Sequence, residues 1–473
     1  MAPSKTVFVV GGTGAQGIPV IQELVKNDAY AVRVLTRDTT SRRALEVAKL
    51  PNVDLFQGHL DNDEHLRQGL RGCWGAFISI DGFVVGQKNE TFWGIRAYQL
   101  AHEAGIQVRH WPPRSPGSQG WANGLMQFFV WGNLDYVTRE ANYAPDVRCG
   151  HYDAKGLVGA WILAQDAFHA ARALASPGRR RDTTTMRAAL FTTRPYLDMC
   201  VAAFTPVAPR AADDRTLEWR VPLGREDAVA HIALEDCGRY AKWLFDHAFT
   251  PSGEPGGAAG MDLAVATEHV RYDDLAASFT RVTGHAARFV DVSFEEYFAA
   301  IPPRLRGYKF GQDYAGMKED DGSLLTYEEN FRGFWRMWQL SGGSEPLIKR
   351  DYALLDKILP DRVRSAEEWF GRHRDMCERV VRGESVIKRH EDTAGIRHSA
   401  PGSHFNDDLP SRNSLGTSAL PTMSSNLGSV AAISLSMPSR SRVEPTLIPR
   451  RRTVLSIKSG SAPSRSVGFG LPK

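Results

Sequence analysis

A glycine-rich segment near the start of the chain has the composition and spacing of a phosphate-binding loop. It consists of Gly11, Gly12, Thr13, Gly14, Ala15, Gln16 and Gly17. Glycine at every third position allows a tight turn and lets the backbone approach a pyrophosphate with no Cβ in between. The segment follows the apolar run TVFVV and precedes a stretch of helical periodicity, whose N-terminus would face the phosphates. This order predicts dinucleotide binding, and a glycine turn with a purely structural role is the alternative.

The next apolar run ends at Arg37 and Asp38, where a dinucleotide site distinguishes its two cofactors. An acidic residue here would hold the ribose 2′-hydroxyl of NAD(H), whereas an arginine would pair with the 2′-phosphate of NADP(H). Arg42 or Arg43 would add positive charge close by. The sequence therefore favours NADP(H), with NAD(H) as the alternative through Asp38.

Polar residues follow two further apolar runs at corresponding places. His59 and Asp61 come after the third run, where the adenine ring would rest. Ser79 and Asp81 come after the fourth run and would line the cofactor cleft. Because the carboxyl ends of parallel strands meet at one edge of a sheet, we expect all these residues to lie together.

The elements that must position these residues alternate between strand and helix along the first 110 residues. Strand patterns cover 6–10, 31–36, 53–57 and 75–80, and helical patterns cover 16–26, 63–70 and 90–104. Repeated βα units with continuous apolar strands predict an α/β fold with a Rossmann-like, doubly wound parallel sheet. Two stretches rich in Pro, Gly or Arg, 111–128 and 170–185, interrupt the pattern. They are either surface loops or inserted sequence of the kind that a mistaken exon boundary produces.

Composition narrows the class of protein. The 473 residues are 42% hydrophobic and 24% charged, which is typical of a globular protein. No long apolar run indicates a membrane span or a signal peptide, so we expect a cytoplasmic protein without membrane contact. The five cysteines are far apart and have no metal-ligand spacing, so neither a disulfide framework nor a metal site is expected.

The last part of the chain differs from the rest. Residues 391–473 are rich in serine and contain ten Lys and Arg against five Asp and Glu, so this segment has a net charge of +5 while the whole chain has +4, and the body is near neutral. A segment of this composition predicts a disordered tail over 386–473. Its basic run at 449–452 is either a nuclear-import patch or a solvated stretch, and the near-neutral body argues against direct nucleic-acid binding.

Several segments together resemble a known family, the NmrA-like branch of the atypical short-chain dehydrogenase/reductase proteins. They are GGTGAQG at 11–17, LTRD at 35–38, GHLDN at 58–62, NETFWGIRAYQLAHEAGIQ at 89–107, HYDAKG at 151–156 and YDDLAASFTRVTGHAARFVDVSFEEYF at 272–298. The resemblance covers about 1–385 without the two interruptions. It implies a NAD(P)-binding domain over 1–190, a smaller α/β domain over 191–385, and a cleft between them. It also implies that Thr193 and Tyr196 contact the nicotinamide end, and a loop that simply turns at Pro195 is the alternative.

The resemblance is weakest at the catalytic positions. Carbonyl-reducing members of the larger group use a Tyr-xxx-Lys pair, in which the tyrosine is the general acid and the lysine binds the nicotinamide ribose. Here Lys155 is present, but His151 lies four residues before it, and Tyr152 is only three residues before it. The usual serine is replaced in the stretch that includes Asn133. His151 is therefore either a substitute proton donor or a structural histidine at a helix start.

These observations leave two functions. The first is a redox-sensing regulator that binds NADP(H) and engages a protein partner such as a transcription factor, as some members of the resembled family do. The second is an NADP-dependent oxidoreductase of fungal-type metabolism with a variant active site. The altered tyrosine and serine positions favour the sensor.

Overall fold

The computed structural model describes residues 3–107, 126–174, 186–193, 195–202, 216–249, 257–314, 316–318, 321–384 and 386. All described residues belong to one unit, which lies within Met1–Leu415. Most of the interruption at 111–128, the part of the second interruption from 175 to 185, and the tail from 387 onward lie outside the described residues. The predictions made for those segments therefore stay predictions.

A seven-stranded parallel sheet forms the centre of the described unit. Its strands are β1 (Thr6–Val10), β2 (Ala31–Thr36), β3 (Val53–Gln57), β4 (Gly75–Ile78), β5 (Phe128–Asn133), β6 (Arg187–Thr192) and β9 (Asp262–Ala264). They are ordered β3-β2-β1-β4-β5-β6-β9, and every neighbouring pair is parallel. All residues of β4, β5 and β6 are buried, as expected of a sheet covered on both faces. The predicted doubly wound, Rossmann-like sheet is confirmed.

Helices cover the two faces of this sheet. The helices in the first 250 residues are α1 (Gly17–Val25), α2 (Arg42–Ala48), α3 (Asp63–Leu70), α4 (Gly82–Gln107), α5 (Val137–Glu140), α6 (Gly150–Leu174), α7 (Asp198–Ala202) and α8 (Leu234–Asp246). Alternate residues of β1 point to opposite faces, so Val7 and Val9 pack with α1 and α8, whereas Phe8 and Val10 pack with α3, α4 and α6. The sheet thus separates two hydrophobic cores.

Helix α4 contains one break, at Gly86. This residue has a φ of 75°, a backbone conformation that side-chain-bearing residues rarely adopt. It also lies against the backbone of another segment, because a Cβ on Gly86 would be 2.7 Å from the carbonyl oxygen of Phe310, and one on Gly311 would be 2.7 Å from Gly86 Cα. The break separates the first turn of α4 from its long second part.

Most of the remaining elements pack into a third hydrophobic core. They are the strands β7 (Leu217–Val221), β8 (Ala228–His231), β10 (Glu268–Arg271) and β11 (Ala287–Asp291), and the helices α9 (Tyr272–Thr283), α10 (Phe294–Ala299), α11 (Pro303–Arg306), α12 (Tyr327–Gln339), α13 (Tyr352–Ile358), α14 (Ala366–Arg372) and α15 (Arg374–Val381). Strand β7 pairs with β11 in parallel, and β8 pairs with β10 antiparallel. The aromatic face of α12 is buried here, with Trp335 and Trp338 packed in the same cluster as Trp219.

One strand of the central sheet and one helix packed on it come from beyond residue 190. Strand β9 extends the sheet as its seventh strand, and α8 packs on α1. The sheet therefore reaches past the domain boundary predicted at residue 190, and the division into 1–190 and 191–385 remains a prediction.

Membrane-spanning helices and metal-binding clusters are absent from the described residues. Among the described residues, no helix is both long and apolar enough to cross a membrane. All five cysteines are buried and form no disulfide bond, and the described residues contain no group of three or more His, Cys, Asp or Glu side chains arranged to hold a metal ion.

The contact between α1 and α8 gives a test of this packing. A Cβ on Gly238 of α8 would lie 2.3 Å from the carbonyl oxygen of Pro19, which is backbone and cannot rotate away. We expect Gly238→Ala to lower the free energy of unfolding by about 1 to 3 kcal/mol in urea denaturation. Gly371→Ala is the control, since nothing lies within 4 Å of that Cβ and alanine favours a helix by about 1 kcal/mol. Equal stability changes in the two variants would contradict the packing.

Candidate functional site

Most of the predicted site residues lie at the carboxyl ends of the parallel strands, and His151 and Lys155 lie on α6. Strand order reverses at β1, whose neighbours are β2 on one side and β4 on the other. In doubly wound sheets a crevice opens at this reversal, because the connections leave it in opposite directions. The glycine loop follows β1 at this point and leads directly into α1.

Three of the loop glycines are required by the fold itself. Gly11 has a φ of +81°, and a Cβ on it would lie 2.4 Å from the carbonyl oxygen of Ser79. A Cβ on Gly12 would meet the side chain of Val34 at 2.7 Å, and one on Gly17 would meet the carbonyl oxygen of Gly11 at 2.1 Å. These contacts hold the loop flush against the ends of β4 and β2.

Gly14 is different from these three. Its Cβ would have a single neighbour within 4 Å, the carbonyl oxygen of Gly11 at 3.2 Å. The folded chain therefore leaves room for a small side chain here. If glycine is needed at this position, the need comes from something that the loop binds.

The N-terminus of α1 has the character of an anion site. Among the described residues, no side chain caps this helix start, and its first turn contains no acidic residue. The positive end of the helix dipole and the first backbone N–H groups of a helix favour a negatively charged group. A phosphate next to this loop would be stabilised by both.

The side chain of Gln16 turns inward and contacts two other predicted site residues. It is buried, with Nε2 donating to Thr193 Oγ1 at 2.9 Å. Ser79 Oγ donates to Gln16 Oε1 at 3.2 Å. The link joins the glycine loop to the ends of β4 and β6. Tyr196 lies three residues after Thr193 and is also buried. Its backbone forms an isolated parallel β-bridge with Ile232.

Three arginines with different surroundings follow β2, one directly after the strand and two at the start of α2. Arg37 is exposed. Arg42 is paired on α2 with Glu46, at 2.6 Å between Nη1 and Oε1. Arg43 Nη1 instead donates to the carbonyl oxygen of Thr13, at 3.3 Å. The structure therefore brings Arg43, rather than Arg42, to the glycine loop.

Asp38 has a structural role in the turn after β2. Its Oδ1 accepts hydrogen bonds from Thr40 N at 2.7 Å and from Thr40 Oγ1 at 2.6 Å. These bonds hold the pKa of Asp38 below its usual value. One carboxylate oxygen is thus already engaged by the turn.

The residues after β3 and β4 lie at the same edge. His59 and Asp61 are exposed, with 3.9 Å between His59 Nδ1 and Asp61 Oδ1, and the His59 backbone N–H donates to His65 Nδ1 at 3.1 Å. Asp81 precedes α4, and its Oδ1 accepts from Phe83 N at 3.1 Å. Asp81 therefore caps this helix, a role that is compatible with facing the crevice.

His151 lies at the start of α6 and is only 7% exposed. Its Nδ1 is 3.3 Å from Asn330 Oδ1 and 3.4 Å from Cys149 Sγ. The ring of Phe83 lies 4.5 Å away, centroid to centroid. The imidazole is thus packed among aromatic side chains and polar partners, beside a small crevice also lined by Gly82, Gln87, Phe310 and Leu325.

Lys155 lies one helical turn further along α6 and is 2% exposed. Its Nζ is 2.5 Å from Glu90 Oε1 and donates to the carbonyl oxygen of Ile80 at 2.7 Å. Glu90 is completely buried. The ion pair joins α6 to α4 immediately behind the end of β4.

Asn133 belongs to the stretch in which the resemblance led us to expect the usual serine. It is buried at the end of β5, and its Nδ2 donates to Thr192 Oγ1 at 2.8 Å. The amide is therefore part of the sheet's internal bonding.

Sequence reasoning did not identify Glu90, although a signal was present. Glu90 lies on the same helical stripe as Trp93, Ala97, Leu100 and Ala104. A carboxylate on an apolar stripe indicates a buried partner of opposite charge. The role of Asn330 had no such signal, because it is 179 positions from His151.

Comparison with known proteins relates this arrangement to a family. The family model named NmrA-like family matches residues 3–117. The NmrA-like family domain-containing oxidoreductase lnaB of Aspergillus flavus is 35% identical over 299 residues, which are 61% of this chain and 76% of that protein. The chain belongs to the NmrA-like family. A second NmrA-like oxidoreductase, from Aspergillus hancockii, is 24% identical over 329 residues, which are 68% of this chain and 85% of that protein.

Other matches are shorter or more distant. An NmrA-like oxidoreductase of Aspergillus versicolor is 39% identical over 75 residues, which span only 21% of that protein. Two crystal structures of NmrA, a negative transcriptional regulator, share the fold. The complex with NADP has a TM-score of 0.52 at 16% identity and covers 83% of this chain and 98% of that one. The complex with NAD has a TM-score of 0.52 at 17% identity and covers 78% of this chain and 94% of that one.

Proposed function

We propose that this NmrA-like protein binds NADP(H) at the carboxyl edge of its sheet. The observation that carries the proposal is the glycine loop at the start of α1, where the fold leaves space at Gly14 and no side chain among the described residues caps the helix. Both features suit a pyrophosphate that approaches the backbone. The fold relatives in complex with NADP and with NAD support the same class of ligand.

The choice of NADP(H) rests on the end of β2. The exposed Arg37 and the loop-contacting Arg43 supply positive charge, while Asp38 uses one oxygen within its own turn. Guanidinium groups bind a phosphate through charge-assisted hydrogen bonds, whereas a ribose hydroxyl offers no charge. His59 and Asp61 would lie at the adenine end, and Thr193 and Tyr196 at the nicotinamide end.

For the use of the bound dinucleotide, the geometry best supports redox sensing through a protein partner, such as a transcription factor. The resemblance puts His151 at the position of the usual catalytic tyrosine and Asn133 in the stretch of the usual serine. His151 Nδ1 lies beside Asn330 and Cys149, and Asn133 is buried. Neither arrangement presents an acid at a reacting carbonyl in the usual way. A regulator of this kind would act in the cytoplasm or, with its partner, in the nucleus.

The second candidate is an NADP-dependent oxidoreductase, as in fungal metabolism. The observation that favours it is the relationship to proteins named oxidoreductases in Aspergillus flavus and Aspergillus hancockii. NADPH would supply a hydride when bound, and this chain would then need to provide a proton donor, for which His151 is the candidate.

Substitution of Gly14 tests the binding proposal. We expect Gly14→Val to abolish NADPH binding, measured as the change in tryptophan fluorescence on titration, because its side chain would occupy the place of the pyrophosphate. The variant should still fold, since one atom at 3.2 Å is the only close neighbour. Gly322→Val is the control, because nothing lies within 4 Å of that Cβ. Unchanged NADPH affinity in the folded Gly14→Val protein would refute the proposal.

Substitution of Arg37 tests the choice of cofactor. A charge-assisted bond to the 2′-phosphate contributes about 1.5 to 3 kcal/mol, so Arg37→Ala should weaken NADPH by about 10- to 100-fold. NADH affinity should hardly change. Arg71→Ala is the matched control, since this exposed arginine precedes β4 and lies toward the opposite edge of the sheet. Equal losses for both cofactors would show that Arg37 does not discriminate between them.

Turnover separates the two uses of the cofactor. For a sensor, oxidation of NADPH with a panel of aldehydes and ketones should be undetectable or very slow, because general acid catalysis contributes about 10²- to 10⁴-fold. Introducing a tyrosine and a serine by His151→Tyr together with Asn133→Ser should raise the rate of NADPH oxidation. Rapid turnover by the wild type with a bell-shaped pH profile, lost in His151→Phe, would instead establish the oxidoreductase with His151 as its acid.

A further inference from the structure

We propose that Glu90 is a positioning residue that fixes Lys155 as a permanent cation behind the cofactor crevice. The inference rests on the proposed binding of NADP(H), since it assigns the lysine the role of an electrostatic anchor. It also separates this role from that of a general base, which would have to lose its proton.

The surroundings of the ammonium carry the proposal. The side chains of Lys155 and Glu90 are 3% and 0% exposed, and 2.5 Å separates Nζ from Oε1. The carbonyl oxygen of Ile80 lies 2.7 Å from the same nitrogen, and the ring of Trp131 is 5.3 Å away. A carboxylate, a carbonyl and an aromatic face all favour the charged form.

The fold makes a dedicated space for this carboxylate. A Cβ on Gly82, the first residue of α4, would lie 2.2 Å from Glu90 Oε2. Glycine at the helix start is therefore what allows the carboxylate to reach Lys155. Because Asp81 caps the same helix start, the anchor and the edge of the crevice belong to one local structure.

The groups around Lys155 come from four elements. Helix α4 contributes Glu90, and the segment between β4 and α4 contributes the carbonyl of Ile80 and, one residue on, Asp81. Its own helix carries His151 one turn earlier, and β5 contributes the neutral Trp131. Glu90 is thus the carboxylate in direct contact, so its removal leaves a buried ammonium without that counter-charge. Such a group is forced toward its neutral form.

Urea denaturation between pH 7 and 9.5 tests this directly, without any cofactor. In Glu90→Gln the unfolded chain would bind a proton on Lys155 that the folded chain does not. Glu90→Gln should therefore have a smaller folding equilibrium constant than the wild type at pH 7. The ratio of the wild-type constant to the variant constant should fall as pH rises, by up to about tenfold per pH unit. Glu90→Asp retains the charge and should show no such slope.

Asp166→Asn is the matched control. Asp166 is equally buried and binds Arg187, with 2.7 Å between Oδ2 and Nη2. An arginine cannot lose its proton in this range, so the penalty of this substitution should not change with pH. Identical pH profiles for Glu90→Gln and Asp166→Asn would overturn the inference.

A second arm measures NADPH affinity by calorimetry at pH 8. We expect Glu90→Gln to bind about five- to tenfold more weakly than wild type, and Asp166→Asn to bind as the wild type does. In a Lys155→Met background, Glu90→Gln should not weaken NADPH binding any further. The double variant is also expected to fold, because both buried charges are gone. A further loss in that background would overturn action through Lys155.

The two proposals fail in different ways. A wild-type protein that binds no NADPH would overturn the proposed function and, with it, this anchoring role. A wild-type protein that binds NADPH, with a Glu90→Gln variant of unchanged affinity and no pH-dependent penalty, would overturn this inference alone.

Discussion

Close backbone contact between the glycine loop and the end of β4 is the constraint on which the rest of the structure depends. The loop lies flush because Gly11 has no Cβ to meet the carbonyl of Ser79, and Gly17 has none to meet the carbonyl of Gly11. This contact sets where α1 begins, and α1 in turn sets the position of α8. Both the helix start that suits an anion and the inward path of Gln16 follow from it.

Around this loop, several polar side chains that could bind a ligand or transfer a proton are hydrogen-bonded or ion-paired to other side chains. Gln16 binds Thr193 and Ser79, Asp38 binds Thr40, and Lys155 binds Glu90. Prepaired groups of this kind keep one geometry, and they give up part of their capacity to exchange protons. A site built in this way is better suited to holding a charged ligand in a fixed pose than to acid–base chemistry.

The sequence predicted the parallel sheet and its loop well, because period and glycine spacing are local properties. Residues near one another in sequence, such as Arg37 and Asp38, could be assigned to the correct edge. Partners far apart could not be: Glu90 with Lys155 and His151 with Asn330 meet only after the chain has folded. Strand β9 was assigned to the later domain for the same reason, since nothing local tells a three-residue strand which sheet it joins.

The meeting of Gly86 and Gly311 bears on how this sequence can diverge. When a larger side chain appears in a core, a substitution that makes a neighbouring side chain smaller can relieve the clash. Contacting core residues can therefore change size together during evolution. Here a Cβ on either residue would meet backbone of the other segment, and no replacement of a neighbouring side chain removes a backbone atom. Neither glycine has a compensating partner. Both are expected to stay glycine in close relatives, or to be lost together with a change in the path of the chain itself.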